Sequence, residues 1–356
     1  MSGVLIAMSG GVDSSVAAYL MKQQGFDCAG GMMKLFANED IGKSRGNTCC
    51  SLEDAEDARA VAHKLDIPFY EFNFSADFKK QVIRRFISAY QNGATPNPCI
   101  DCNRYMKFEK LFSRAKVLEK EYIVTGHYAH IEYDNITGRY LLRKAVDRSK
   151  DQSYVLYAMT QEQLAHTLFP LGNLHKSEVR EIAEKQGFVN ANKRDSQDIC
   201  FVQNGDYAGF IEQYTGKVCQ CGDFIDMQGN ILGKHKGLIR YTVGQRKGLG
   251  LSLKTPMYVL SKNTADNTVT LCEEKELFTK TLEAADFNWI AYDAPDSPIR
   301  IKAKIRYTQS EQWATATHIS DGTVYIEFDE PQRAVAKGQA VVLYDGDIVV
   351  GGGVIH

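Results

Sequence analysis

Val4-Leu5-Ile6-Ala7-Met8, followed by Ser9-Gly10-Gly11-Val12-Asp13-Ser14-Ser15, is the stretch on which the reading of this chain turns. An unbroken apolar run predicts a buried strand, and Ser14–Gln24 has the apolar spacing of a helix that stops at Gly25. Between them two glycines let the backbone come close to an anion. Ser14 and Ser15 stand where hydroxyls and helix N-terminal N–H groups converge on a phosphate. No Lys-Ser/Thr pair follows the glycines, so this is not a phosphate loop of the Walker type. A glycine-rich turn that merely caps a helix is the bland alternative; the order strand, turn, serines, helix favours a phosphate.

The first two hundred residues continue that alternation. Ser51-Leu52-Glu53-Asp54 reads as a capping box opening a helix to about Leu65, Pro68–Phe74 as a strand, and Ala76–Gln91 as a helix. Tyr122–Gly126 follows as a strand, His130–Tyr133 and Tyr140–Arg143 as a hairpin, and His175–Gly187 as a helix. Strands alternating with helices predict βαβ units and a parallel sheet. After about Asn204 glycine becomes frequent and short β-branched runs lie between turn signals. Arg300–Tyr307, Trp313–Ile319, Val324–Phe328 and Ala340–Tyr344 read as strands of a small barrel. The expected architecture is an α/β Rossmann-like domain over 1–204, a small β-rich central domain over 205–272 and a C-terminal β-barrel over 273–356.

Composition excludes several classes. The chain has 356 residues, 44% hydrophobic and 24% charged, with a formal net charge of −2. No apolar run approaches the roughly 18 residues of a membrane span. Met1–Met8 lacks a basic leader, so a cytoplasmic protein is expected. Nine cysteines, an odd number unevenly spaced, argue against a disulfide framework and for reactive or metal-binding thiols. Residues 234–262 carry Lys234, Lys236, Arg240, Arg246, Lys247, Lys254 and Lys262 with no acidic residue, which suits a surface facing a polyanion. A solvated loop explains such a run equally well.

Two further motifs carry cysteines. In Pro96-Asn97-Pro98-Cys99-Ile100-Asp101-Cys102-Asn103 the prolines stiffen a loop, and a helix is predicted over Arg104–Lys116. Cys102 then stands at a helix N-terminus, where a thiolate is favoured. A Cys-x-x-Cys pair is also half of a zinc site, the other half coming from Cys49-Cys50 or from the wrongly spaced Cys219-Gln220-Cys221. Asp195-Ser196-Gln197-Asp198-Ile199-Cys200-Phe201 closes the α/β region; taken alone, Cys200 reads as a buried core residue.

The Ser9–Ser15 loop resembles that of N-type ATP pyrophosphatases, which split ATP between its α- and β-phosphates. Over essentially its full length the chain resembles the bacterial tRNA-specific 2-thiouridylases. The matching stretches include Met33-Lys34, Thr95–Asn103, Thr125-Gly126-His127-Tyr128, Lys150–Tyr154, Ser196–Phe201, Thr242–Gly250, Arg306-Tyr307 and Gly351–Gly353. That resemblance implies a tRNA-uridine 2-sulfurtransferase acting on the wobble uridine. Ala7, Met8, Ser9, Gly10, Gly11, Val12, Asp13, Ser14, Met33 and Gly126 would bind ATP, with Mg²⁺ that Asp13 helps to position. Cys200 would carry a persulfide. Cys102 would attack that persulfide, leaving a Cys102–Cys200 disulfide, or deprotonate a sulfur intermediate. Asn97, Pro98 and Cys99 would line the pocket of the flipped-out base, and Lys150, Asp151, Gln152, Arg306 and Tyr307 would contact tRNA. The implied partners are tRNA and a cysteine desulfurase or sulfur-relay protein, the enzyme being a monomer with no membrane contact. Some relatives carry Asp at the place of Cys99, which leaves Asp101 as the only carboxylate in the loop. An Fe–S cluster on Cys99, Cys102 and Cys200 is a less favoured alternative.

Other classes explain less. A small-molecule ATP pyrophosphatase has no use for Cys102 and Cys200, and a 4-thiouridine synthase would carry an RNA-binding domain before the loop. An RNA-binding protein without activity leaves Ser9–Ser15 without a purpose. Product analysis separates them. AMP and pyrophosphate should form only with tRNA and a sulfur donor; ADP and phosphate would contradict the reading of the loop.

Overall fold

Val4, Leu5 and Ile6 are fully buried, so both faces of their strand are covered, as in a parallel sheet packed between helices. This computed structural model describes residues 2–36, 52–195, 199–202, 204–320 and 322–356. Strand β1 (Gly3–Ala7) pairs in parallel with β2 (Asp27–Lys34) on one side and β4 (Tyr122–Val124) on the other. Outside them lie β3 (Phe69–Asn73) and β7 (Thr167–Leu168), giving the order β3-β2-β1-β4-β7. Between β4 and β7 in sequence, β5 (Ala129–Asp134) and β6 (Arg139–Lys144) form the expected hairpin. Alternation sorts β1: Leu5 enters one core with the helices over 75–91 and 98–117. Val4 and Ile6 enter another with α1 (Val12–Gln23), α2 (Leu52–Lys64) and the helix Lys176–Lys185. The strand order reverses at β1, so its carboxyl end is the crevice where open α/β sheets bind ligands.

Strand β2 was not legible, because Gly30-Gly31 reads as a strand breaker. The sheet needs both glycines. A Cβ on Gly30 would lie 2.6 Å from Met8 Sδ, and one on Gly31 3.0 Å from Leu5 Cδ1. Ser51 of the expected capping box lies outside the described residues; the helix it was to open runs Leu52–Lys64.

The central region folds a mixed sheet from β8 (Gly222–Ile225), β9 (Ile231–His235), β10 (Tyr258–Asn263) and β11 (Thr268–Cys272) around buried Phe224, Val259, Val269 and Leu271. Six more strands follow: β12 (Phe278–Trp289), β13 (Ile299–Lys304), β14 (Gln312–Ser320), β15 (Thr323–Arg333), β16 (Ala340–Asp345) and β17 (Ile348–Ile355). They run in the order β12-β15-β14-β13-β16-β17, and β12 pairs with β17, closing a barrel. Closure leaves no free edge within the ring. Of these, β12 and β17 were not predicted. Three glycines hide β17; a Cβ on Gly352 would meet the Tyr157 ring at 2.7 Å.

The barrel and the α/β region share a core. Strand β6 pairs with β17 through Val349↔Leu142, and Ile100, Phe108, Tyr154, Ile290, Val342 and Tyr344 pack in one cluster. Tyr154 donates its hydroxyl proton to the Ala340 carbonyl at 2.8 Å. The Thr95 N–H donates to the Lys337 carbonyl, and Gln339 Nε2 to the Thr95 carbonyl, both at 2.8 Å. The barrel thus holds the loop that leads into Asn97. No described helix is long and apolar enough to cross a membrane.

Phe201 knits the helix Tyr207–Thr215 to the α/β core, packing on Phe86 at 5.3 Å, Phe210 at 5.1 Å and Phe78 at 5.8 Å between ring centres. Phe201→Ala should therefore cost about 3–5 kcal/mol of stability, read from urea unfolding. A loss near zero would show that this cluster does not hold the segment.

Candidate functional site at the carboxyl end of β1

Gly10 takes φ +76°, and a Cβ there would lie 2.3 Å from the Asp54 carbonyl oxygen of α2, so glycine is required twice over. Ser14 and Ser15 are buried and donate to the Gly11 carbonyl at 2.9 and 3.1 Å. The Ser9 N–H donates to Ser14 Oγ at 3.2 Å. The hydroxyls thus shape the turn. Gly126 presses on it from just past the end of β4: a Cβ there would meet Asp13 C at 2.8 Å and Ser14 N at 2.9 Å. Residues Ala7–Ser14 and Gly126 are therefore together. Met33 lies two residues beyond Gly31, the partner of Ala7, and borders the same apolar cluster as Ala7.

Asp13 is not an open carboxylate. Lys176 Nζ donates to its two oxygens at 2.7 and 2.8 Å, and the Tyr128 hydroxyl to Oδ1 at 2.8 Å. Lys176 also lies 2.9 Å from Asp195 Oδ1, which Arg180 shares at 2.9 Å, while Lys150 reaches Asp195 Oδ2 at 2.8 Å. Burial alone would raise the Asp195 pKa; hydrogen bonds from Lys150 and Lys176 outweigh it and hold the carboxyl at about 2. Burial, then the Asp13 charge, drives the Tyr128 phenol pKa up. Tyr128, Lys176, Arg180 and Asp195 had been given no role from sequence. A lysine opening an amphipathic helix reads as solvated, and only the fold buries this one.

The cysteine loop differs from expectation in one respect. Its helix begins at Pro98, not Arg104, with Asn97 as N-cap accepting from the Cys99 N–H at 3.1 Å. Cys102 consequently sits in the second turn, and the helix-terminus argument for its thiolate fails. Exposed Cys99 occupies the first turn instead. From Cys102 to Leu111 the helix widens to i→i+5 hydrogen bonding. On it, Lys107 Nζ donates to Asn103 Oδ1 at 2.9 Å and lies 3.2 Å from His127 Nε2. The other His127 nitrogen lies 2.6 Å from Thr125 Oγ1. Burial first, and Lys107 second, push the His127 pKa well down, so the imidazole is neutral. Asp101 pairs with Arg85 at 3.3 Å, and burial raises its carboxyl pKa despite that guanidinium.

Cys102 and Cys200 are both half-buried and border the apolar cluster that Ala7 and Met33 border. Among the described residues no group of three His, Cys, Asp or Glu is arranged to hold a metal ion, so Cys99, Cys102 and Cys200 do not converge as cluster ligands. Cys49 and Cys50, named as zinc candidates, lie outside the described residues, as do Ser196–Asp198.

Of the expected tRNA contacts, Asp151 and Tyr307 meet at the seam with the barrel. Asp151 Oδ1 accepts from the Ala145 N–H at 3.0 Å, Gln152 Oε1 from the Tyr128 N–H at 3.0 Å, and the Tyr307 hydroxyl donates to the Asp151 carbonyl at 2.9 Å. Arg306 turns away to the Ala334 carbonyl at 2.7 Å. In the basic stretch Lys234, Lys236, Arg246, Lys247 and Lys254 are exposed. Arg240 is tied to Glu212 at 2.5 Å, and Lys262 is tucked against the Tyr90 ring, its ammonium pKa lowered to about 8 by burial.

A family profile described as "tRNA methyl transferase HUP domain" matches residues 2–204. An "Aminomethyltransferase beta-barrel domain" profile matches 279–355, and a "tRNA methyl transferase PRC-barrel domain" profile matches 208–273. The chain is similar to the tRNA-specific 2-thiouridylase MnmA of Clostridioides difficile (strain 630), 53% identical over 99% of this chain and 98% of that protein. It is 52% identical to the tRNA-specific 2-thiouridylase MnmA of Acetivibrio thermocellus, over 99% of each chain. It is 51% identical to tRNA-specific 2-thiouridylase MnmA 1 of Thermoanaerobacter sp. (strain X514), over 99% of this chain and 97% of that one.

The Asp195 network predicts a pH signature. A carboxyl held at about 2, against an ordinary 3.8, contributes stability that is complete above the ordinary value and is lost as pH falls towards 2. Asp195→Asn should flatten the stability profile in that window, measured by urea unfolding at stepped pH. Parallel profiles would show that Lys150 and Lys176 do not hold the carboxylate.

Proposed function

The chain belongs to the tRNA-specific 2-thiouridylase family, and from that premise we propose that it replaces the 2-oxygen of the wobble uridine of tRNA with sulfur at the expense of ATP. The family profile's description speaks of methyl transfer; relatives matched along nearly the whole chain are thiouridylases, and the reading follows them. One observation carries the mechanism. Cys102 and Cys200, far apart in sequence, border the apolar cluster reached by Ala7 and Met33 at the end of β1. That arrangement supports a nucleotide and two thiols serving one reacting base.

Uracil O2 is a poor leaving group. In this reading it attacks the α-phosphate of ATP, pyrophosphate departs, and the adenylated oxygen becomes part of AMP. The terminal sulfur of a Cys200 persulfide then bonds to C2 and AMP leaves. The Cys102 thiolate attacks Cys200 Sγ, the S–S bond breaks, and its electron pair stays on the transferred sulfur. The resulting Cys102–Cys200 disulfide is returned to thiols by a dithiol reductant. The raised carboxyl pKa of Asp101, on the helix that carries Cys102, suits a group that passes protons to or from the base. A loop base in tRNA is accessible to such a site because it can be splayed out of its stack.

Mg²⁺ commonly accompanies ATP, held by one or two carboxylates and the phosphates. Asp13, with both oxygens committed to Lys176, does not fit that role as it stands, and no step is assigned to a metal. The sulfur donor is a cysteine desulfurase or relay protein, which must reach Cys200. A monomer in the cytoplasm suits that exchange.

Cys200→Ser should abolish thiolation and prevent persulfide from accumulating on the protein. Cys102→Ser should abolish product while Cys200 still accepts sulfur, and Cys28→Ser and Cys272→Ser should stay active. Mass spectrometry of the sulfur-loaded protein reads this; sulfur on Cys102 with Cys200 unmodified would reverse the roles.

A further inference from the structure

Asn190 lies in the turn after the helix Lys176–Lys185, far in sequence from the glycine loop, yet it is 2% exposed and its amide reaches that loop. Asn190 Nδ2 donates to the Gly10 carbonyl and to Ser15 Oγ, both at 2.9 Å. Chemistry fixes the amide's orientation. The Gly10 carbonyl can only accept, and the Ser15 hydroxyl proton already goes to the Gly11 carbonyl at 3.1 Å, leaving lone pairs for the amide. Asn190 Oδ1 is buried with no hydrogen-bond partner among the described residues. A buried amide that leaves its oxygen unpaired is held in place for its two donors. The turn itself is braced: Arg180 Nη1 donates to the Ala191 carbonyl at 3.1 Å and the Lys193 N–H to the Asn190 carbonyl at 3.0 Å.

We propose that Asn190 is a positioning residue for the nucleotide phosphates, acting by turning the Gly10–Gly11 peptide. This rests on the reading of the loop as an ATP site. The Gly10–Gly11 peptide is trans, so drawing the Gly10 carbonyl towards Asn190 points the Gly11 N–H the opposite way. That N–H then faces the phosphates together with the first N–H groups of α1, a preorganised anion site. Glycine at position 10, with φ +76°, offers no side-chain resistance to rotation of this peptide, so a second constraint has to hold it.

The test is titration of the full-length protein with ATP, inorganic pyrophosphate and adenosine in turn. Asn190→Leu keeps the shape and removes both donors; it should weaken ATP and pyrophosphate about tenfold and leave adenosine unchanged. Asn190→Ala opens room for a bridging water and should lose less, and it carries the test should the leucine variant not fold. Unchanged pyrophosphate affinity in both variants would overturn the proposal, as would an equal weakening of adenosine, the mark of a merely structural role. Wild-type protein that binds none of the three would instead overturn the nucleotide reading, and this inference with it.

Discussion

Thr125-Gly126-His127-Tyr128, at the exit of β4, touches both halves of the candidate site, and the rest of the arrangement depends on that. Gly126 lies so close to the first turn of α1 that a methyl group would collide with Asp13 and Ser14. Tyr128 donates to Asp13, while His127 reaches Lys107 on the helix that carries Cys102. A strand end packed between two other elements cannot move without moving both, because close-packed interiors transmit displacement rather than absorb it. The glycine loop and the cysteine helix are therefore fixed relative to one another through four residues. Gln152 fixes the segment in turn, exchanging two hydrogen bonds with the Tyr128 backbone.

The ion network beneath the loop shows why so many charges survive partial burial there. Asp13 and Asp195 face Lys150, Lys176 and Arg180, and each carboxylate has at least two donors. An ionised carboxylate taken out of water is tolerated only with that degree of hydrogen bonding. Lys176 is shared between the two acids, so one ammonium group bridges the glycine loop and Asp195. Lys150, which the family resemblance marks for tRNA, belongs to the same network.

Sequence reasoning reached the α/β order, the hairpin and the barrel because their periodicities are strong and their turns carry glycine and aspartate. It missed β2 and β17 because glycine there serves close packing, which a local pattern scores as a break. It started the helix at Arg104 rather than Pro98, nearly two turns late, since Asn97-Pro98 was read as loop chemistry rather than as an N-cap followed by proline at N1. The glycine loop and both cysteines were visible as motifs. Asn190, Lys176 and Asp195 were not: their partners are distant in sequence, and nothing local distinguishes a buried amide or ammonium from a solvated one. Arg306, taken as a tRNA contact, has its guanidinium on a carbonyl of the barrel, a use invisible without the fold.

The central claim is that this chain thiolates tRNA uridine at C2. The most direct measurement is nucleoside analysis of tRNA from cells in which the chain has been deleted and then restored. The account predicts loss of 2-thiouridine derivatives on deletion and their return with the intact chain, other modified nucleosides staying constant. Undiminished 2-thiouridine in the deletion strain would contradict it.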